Sequence, residues 1–334
     1  RTKFQKGNIS VLAEYAIKAN DPSVDNGYIY HNGNAALLSV SYSKKGISAL
    51  VQAKRSDNMS FRSRRSMQGI SSFVNHLPAF TQQQTYALPA IYPYATQPDG
   101  EWAFQGDFSY TFLRKTALGG KYGTLIRLNV SHIRAIDKQN IDGTDYILQG
   151  KTEYKSSFFK AGETLYYQDI NFGVDKKVSS DLKLNFLYMF QKYNPWVIVQ
   201  HEENIITSHI FVAEGKYNIN EKLTLRAEAQ YLHTSPYSPF EREETPDKRA
   251  NQGDWIFGLV ELSVAPSFMF SVQDMYNVGT LKKHFYMANA VYTNKSHRVQ
   301  LGFGKTRAGY DCSGGVCRFV PETYGLRLGY NYTF

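Results

Sequence analysis

The feature that most constrains this chain is a two-residue alternation that persists from end to end. In its last stretch, YGLRLGYNYTF, one register reads Tyr324, Leu326, Leu328, Tyr330, Tyr332 and Phe334. The other reads Gly325, Arg327, Gly329, Asn331 and Thr333. Successive strand side chains point to opposite faces, so such a strand meets apolar surroundings on one face and water or small polar groups on the other. EWAFQGDFSYTF (101–112) sets Trp102, Phe104, Phe108, Tyr110 and Phe112 against Gln105, Asp107, Ser109 and Thr111. KLTLRAEAQY (222–231) sets Leu223, Leu225, Ala227, Ala229 and Tyr231 against Thr224, Arg226, Glu228 and Gln230. The same period runs through ISVLAEYAIK (9–18), AALLSVSY (35–42), ISALVQAK (47–54), TLIRLNVS (124–131) and DLKLNFLYMF (181–190). It returns in FMFSVQDMY (268–276), FYMANAVY (285–292) and RVQLGFG (298–304).

Counted this way the chain holds about fourteen strands of roughly ten residues, the length that crosses a bilayer at a steep tilt. The connections alternate too. SKKG, DKKVSSD, NINEK, APS and TNKS are short, whereas 19–33, 55–100, 135–163, 192–207, 234–253 and 306–321 are long and polar. Short turns on one side and long loops on the other are the asymmetry of an outer-membrane barrel. The expected fold is therefore all-β: a transmembrane antiparallel up-and-down barrel, integral to a Gram-negative outer membrane. An even count would place both termini on the short-turn side. A soluble β-sandwich also alternates, but it has shorter strands and no such sorting of loops by length.

Composition agrees. Mean hydropathy is −0.43, and no apolar run approaches the ~18 residues of a spanning helix. The 25 Tyr and 21 Phe suit surfaces where a ring meets hydrocarbon and water together. A net charge of +9 is open to nucleic acid, an anionic membrane surface or an anion-lined pore; no nucleic-acid motif supports the first. Arg1 is preceded by no apolar leader, as expected after signal removal or for a sequence that begins partway along a longer chain.

Cys312 and Cys317, in CSGGVC, can fold back to disulfide distance across two glycines. The expectation is a loop staple in an oxidising compartment, with two free thiols as the alternative. No further ligands with zinc-like spacing accompany them.

SDNMSFRSRR (56–65), IYPYATQPDGEWAFQGDFSY (91–110), GGKYGT (119–124) and CSGGVCRFVPETYGLRL (312–328) resemble an outer-membrane barrel family of Bacteroidota, a domain of unknown function. The resemblance runs over most of the chain and implies an outer-membrane location but no activity. Members of that family are longer at the N-terminus, which implies that 1–334 is a C-terminal portion and that fourteen strands are a minimum.

Candidate chemistry is sparse. HEEN (201–204) opens like a zinc-protease helix, but Ile205 follows and the second histidine is missing. FEREETPDKR (240–249) offers Glu241, Glu243, Glu244 and Asp247 without the ligand spacing of a calcium loop. His132, His209, His233 and His297 are scattered, with no serine paired to any of them. The reading is a non-enzyme with no metal and no cofactor.

The basic residues are more suggestive. Lys54, Arg55, Arg62, Arg64 and Arg65 open the longest loop. Either that loop folds inward and they line an anion-attracting constriction, or they bind anionic lipid and lipopolysaccharide headgroups at the rim. Arg127, Lys183, Arg226 and Arg327 fall on the lumen register. WIFGLVELSV (255–264) is apolar on both faces, and PWVIVQ (195–200) is an apolar loop segment; both point to something packed against them. Tyr330, Tyr332 and Phe334 fit a C-terminal signal for barrel-assembly machinery. Two functions follow: a porin-like passive channel for small, anionic solutes, or a plugged barrel that scaffolds an envelope membrane complex with lipoproteins or other subunits.

Overall fold

The computed structural model describes all residues except 68–73, 75–76, 141–153, 201–203, 235–252, 314–315 and 334. HEEN, apart from its last residue, FEREETPDKR and Phe334 therefore lie outside the described residues.

Fifteen strands form one antiparallel sheet in sequence order. They are β1 (Thr2–Lys6), β2 (Ile9–Lys18), β3 (Gly33–Lys44), β4 (Ile47–Asp57), β5 (Gly100–Phe112), β6 (Thr124–Asn140), β7 (Tyr154–Lys177), β8 (Leu182–Tyr193), β9 (Ile206–Asn218), β10 (Leu223–Thr234), β11 (Trp255–Val264), β12 (Phe268–Asn277), β13 (His284–Asn294), β14 (His297–Thr306) and β17 (Thr323–Tyr332). A small hairpin, β15 (Gly309–Ser313) and β16 (Val316–Val320), stands in the loop between β14 and β17. One short helix, α1 (Pro195–Val199), follows β8.

Each strand pairs with its sequence neighbour because short turns leave it nowhere else to go. Lys45 and Gly46 alone join β3 to β4, and Gly46 carries the φ of +84° that the tight reversal requires. Lys295 and Ser296 join β13 to β14 in the same way. The register holds the alternation to one facing throughout. Leu225 pairs with Leu262, Ile126 with Val174 and Leu301 with Leu328, all on the outer face. Gln52 pairs with Gln105 and Asn185 with Glu214 on the inner face. A one-residue slip would exchange the two faces, which is why the pattern specifies the register so strongly.

The outer face is the apolar belt, with Val51, Phe104, Phe186, Phe211, Val260, Val272 and Phe303 all exposed. In water that surface would be a liability; against lipid tails it costs nothing.

The strand count exceeds the fourteen read from sequence by one. TKFQK, as β1, is too short to show a period. Its addition moves the start of the sheet to the long-loop side, where the even count had placed it on the short-turn side. β1 and β17 both run from the loop side to the turn side and form the two edges. Joining them as an antiparallel seam requires an odd number of intervening strands.

Cys312 faces Cys317 across the β15–β16 ladder; their side chains lie outside the described residues. The disulfide expected from the sequence is tested by thiol chemistry. Alkylation without reductant is expected to leave the protein's mass unchanged, and alkylation after reduction to raise it by two adducts. Modification of both thiols without reductant would rule the bridge out.

Candidate functional site

The inner face is not an empty wall. Residues 77–99, ahead of β5, return across it and build an apolar cluster with the strands. Phe80, Leu88, Ile91, Tyr92 and Tyr94 from this loop are buried with Ala103, Ile133, Tyr167, Met189, Tyr193, Ile210, Val212, Leu232, Trp255, Phe257 and Phe285. Those partners come from β5 through β13. A flat sheet would spread nine such strands over about 40 Å. One loop touches nearly all of them only because the sheet curls around it.

Polar contacts fix the loop in place. The Leu88 backbone N–H donates to Gln230 Oε1 at 2.8 Å. Gln84 donates to Asn171 Oδ1 at 3.2 Å, and Gln191 donates to the Tyr92 carbonyl at 3.1 Å. Burial pushes the Tyr86 hydroxyl up to about 12, so it stays protonated.

The double apolar character of WIFGLVELSV is explained here. Ile256 and Val260 face outward, while Trp255 and Phe257 pack into the loop cluster. PWVIVQ is divided similarly. Asn194 caps α1 by accepting from Val197 N at 3.4 Å, Ile198 enters the cluster, and Trp196 stays 57% exposed.

The basic residues take three different places. Lys54, on the inner face of β4, is fully buried and pairs with Glu101 of β5 at 2.7 Å. It also donates to the Pro78 carbonyl, and its ammonium lies 5.2 Å from the centre of the Phe80 ring. Glu101 is held in turn by the Gln97 N–H at 2.6 Å and by the Tyr94 hydroxyl. Arg55 falls on the outer register but is only 1% exposed. It is covered by the loop end of β7, pairing with Asp57 at 3.0 Å and donating to Ser156 Oγ and Asn34 Oδ1 at 2.7 Å each. Arg62 pairs with Asp25, and Arg65 pairs with Asp21 at 2.7 Å. Arg64 has no ion-pair partner among the described residues. Arg62 and Arg65 thus tie the long loop to the 19–32 loop, while Lys54 and Arg55 anchor its strand end.

The lumen register holds two kinds of cation. Arg127 pairs with Asp175 at 2.9 Å, and Arg226 lies among Glu214, Glu228 and Glu261. Arg327 donates to Thr306 and Thr323 at 3.0 and 2.8 Å. Lys183 is different. Register sets it beside Lys177 on one neighbour and Lys216 on the other. These three lysines form a row near the short-turn rim with no acidic partner within 4 Å among the described residues. Lys177 and Lys216 escape a reading of single segments because only pairing aligns them.

The four histidines are dispersed: His132 bonds Gln168, His209 bonds Tyr188, His233 bonds Asp254 and His297 bonds Tyr330. No group of three or more metal-ligating side chains occurs among the described residues.

At the loop end, Asp99 accepts from the Ser60 N–H at 3.4 Å and from the Ser60 hydroxyl. Burial pushes its carboxyl above the ordinary carboxylate range; the Ser60 hydroxyl and the charges of Lys138 and Lys18 pull the other way. A carboxyl raised in the folded state binds its proton more tightly there than when unfolded. Its stabilising share is present at low pH and is lost as pH rises through the folded value. Asp99→Asn is expected to remove that part of the slope in unfolding measured from acid to neutral pH. An unchanged slope would assign the dependence to another group.

Comparison with solved structures returns outer-membrane proteins at low identity, which speaks to fold alone. The siderophore receptor PirA of Acinetobacter baumannii aligns at 11% identity and a TM-score of 0.45, over 94% of this chain and 45% of that one. The chain therefore spans less than half of that receptor's length. The toluene transporter TodX of Pseudomonas putida aligns at 7% identity and 0.29, over 91% and 83%. OmpT, an outer-membrane protein of Vibrio cholerae, aligns at 9% and 0.29, over 99% of each. No curated protein sequence matches the chain.

One reading from sequence is corrected. The chain was excluded from the enzymes, but its structural neighbours mix transporters with OmpT, so they give no ground for that exclusion and it is withdrawn. The location rests on the sheet itself. A long antiparallel sheet with an apolar outer belt and a loop packed against its inner face is an integral outer-membrane protein. Over residues 1–334 the chain matches, and belongs to, the family of unknown function DUF6029.

Proposed function

We propose that this chain is a plugged outer-membrane barrel that scaffolds an envelope complex, with its bore shut by the loop residues 77–99. The observation that carries the reading is the buried cluster joining that segment to β5 through β13. The charges support it. Lys54, Arg127 and Arg226 are neutralised by neighbouring acids, so they supply little of the standing field that an anion-selective constriction needs. The partners are lipoproteins or other envelope subunits seated on the loops. Lipid and lipopolysaccharide cover the apolar belt, and barrel-assembly machinery engages the last strand through Tyr330 and Tyr332.

A passive path for small anions is the second reading, favoured by the unpaired row of Lys177, Lys183 and Lys216. Single-channel conductance separates the two. The full chain is expected to be silent in a planar bilayer, and deletion of residues 60–95 to open steady steps. Anion-selective steps from the intact protein would overturn the plug and leave the channel.

A further inference from the structure

Two cavities open at the long-loop end of the sheet, where the ends of the 58–99 segment join β4 and β5. The larger, about 480 Å³, is lined by residues 24–29 together with Asn58, Asp99, Lys138 and Tyr154. The second, about 330 Å³, lies beside it and shares Asp99 and Lys138. Both fall in the ~300–1,000 Å³ range of small-molecule sites. Asp99 and Lys138 therefore line both cavities.

The polar groups of the walls are largely spent on one another. The side chain of Asn26 accepts from Ser23 N at 2.9 Å and donates to Asn58 Oδ1 at 3.0 Å; Asn58 donates to the His31 carbonyl at 2.5 Å. Asp25 is occupied by Arg62, and the Tyr154 hydroxyl donates to Asp57 at 2.5 Å. Three residues here hold positive φ: Gly27 at 65°, Tyr28 at 60° and Asn58 at 49°. For Tyr28, an aromatic residue in the left-handed region, this is conformational strain of a kind that clusters at binding sites.

Two groups are left over. Both bonds to Asp99 fall on Oδ1, so Oδ2 has no partner among the described residues. The Lys138 ammonium lies 4.5 Å from the centre of the Tyr154 ring, with no hydrogen bond or ion pair among those residues. An acceptor and a donor thus face the same cavities without meeting each other. In the larger cavity the formal charges of Asp25, Asp99 and Lys138, with Arg62 bound to Asp25, sum to zero.

We propose that this site binds a neutral saccharide unit presented from outside the cell. A vicinal diol matches the two free groups: one hydroxyl donates to Asp99 Oδ2 and its neighbour accepts from Lys138 Nζ. Tyr28 and Ile29 supply apolar wall for the C–H face of a pyranose ring. This assignment does not depend on whether the bore is plugged.

The test is titration of the full chain in detergent with glucose, galactose, mannose and N-acetylglucosamine, with glycine and inorganic phosphate as charged controls. Saturation-transfer NMR and calorimetry provide the readouts. At least one sugar is expected to bind, and Lys138→Gln and Asp99→Ala each to weaken it about tenfold or more, the scale of losing one charge-assisted hydrogen bond. Lys183→Gln, at the opposite rim, should leave the affinity unchanged. Lys138 is exposed, so its substitution remains informative if Asp99→Ala misfolds. Failure of all four sugars to bind, binding that survives Lys138→Gln, or equal binding of glycine or phosphate would overturn the proposal.

Discussion

Replacing Lys54 with methionine is expected to destabilise the protein by about 3–5 kcal/mol, the cost of stranding a buried charge. Lys54 and Glu101 meet at 2.7 Å with both side chains fully shielded from solvent. Removing the ammonium leaves a carboxylate with no access to water, and it loosens the Pro78 carbonyl at the loop's return. Glu101→Gln alone should cost a similar amount for the reciprocal reason. The double variant Lys54→Met with Glu101→Gln should recover most of the loss. Its glutamine carbonyl still accepts from Gln97 N, and no charge remains unpaired. Denaturant unfolding of the detergent-solubilised protein measures all three. Additive costs in the double variant would show that the two groups act independently and that the pair does not hold the loop.

Leu225→Arg carries the second large effect. Leu225 stands on the outer face of β10, opposite Leu262 on β11 and Tyr217 on β9. Leu225 is the third residue of β10, near the short-turn rim, so an arginine there should cost less than the ~2–4 kcal/mol of the bilayer midplane but still impair insertion. Leu184→Arg on β8, opposite Gly215 and Lys176, tests the same facing from a neighbouring strand. Reduced yield of membrane-inserted protein, with inclusion-body material in its place, is the expected result. If both arginines insert as efficiently as leucine, that face does not meet lipid.

The alternation around Leu225 and Leu184 was legible in the sequence because a strand's period is short and local. Each ten-residue segment declares its own two faces without reference to any other. The same locality made the loop lengths readable, and with them the up-and-down order. It also set the limit: β1, at five residues, is too short to display a period, and only its pairing with Val11 and its neighbours reveals it.

What lies between strands was not readable in this way. Arg55 sits one residue from Lys54, on the opposite register. It is nevertheless just as buried, because β7 extends past the sheet and folds over it. The lysine row of Lys177, Lys183 and Lys216 exists only across a ladder. The larger cavity at Asp99 and Lys138 joins two loops to two strand ends that are far apart in the chain. The sequence by itself determined the strands, their facing and the membrane they suit, since these follow from nearest-neighbour chemistry along the chain. Tertiary structure alone decided that the loop residues from Phe80 to Tyr94 pack against the inner face, which cations are neutralised and that Asp99 and Lys138 line the same cavities. Those outcomes depend on long-range pairing, where burial is shared among residues that no local pattern connects.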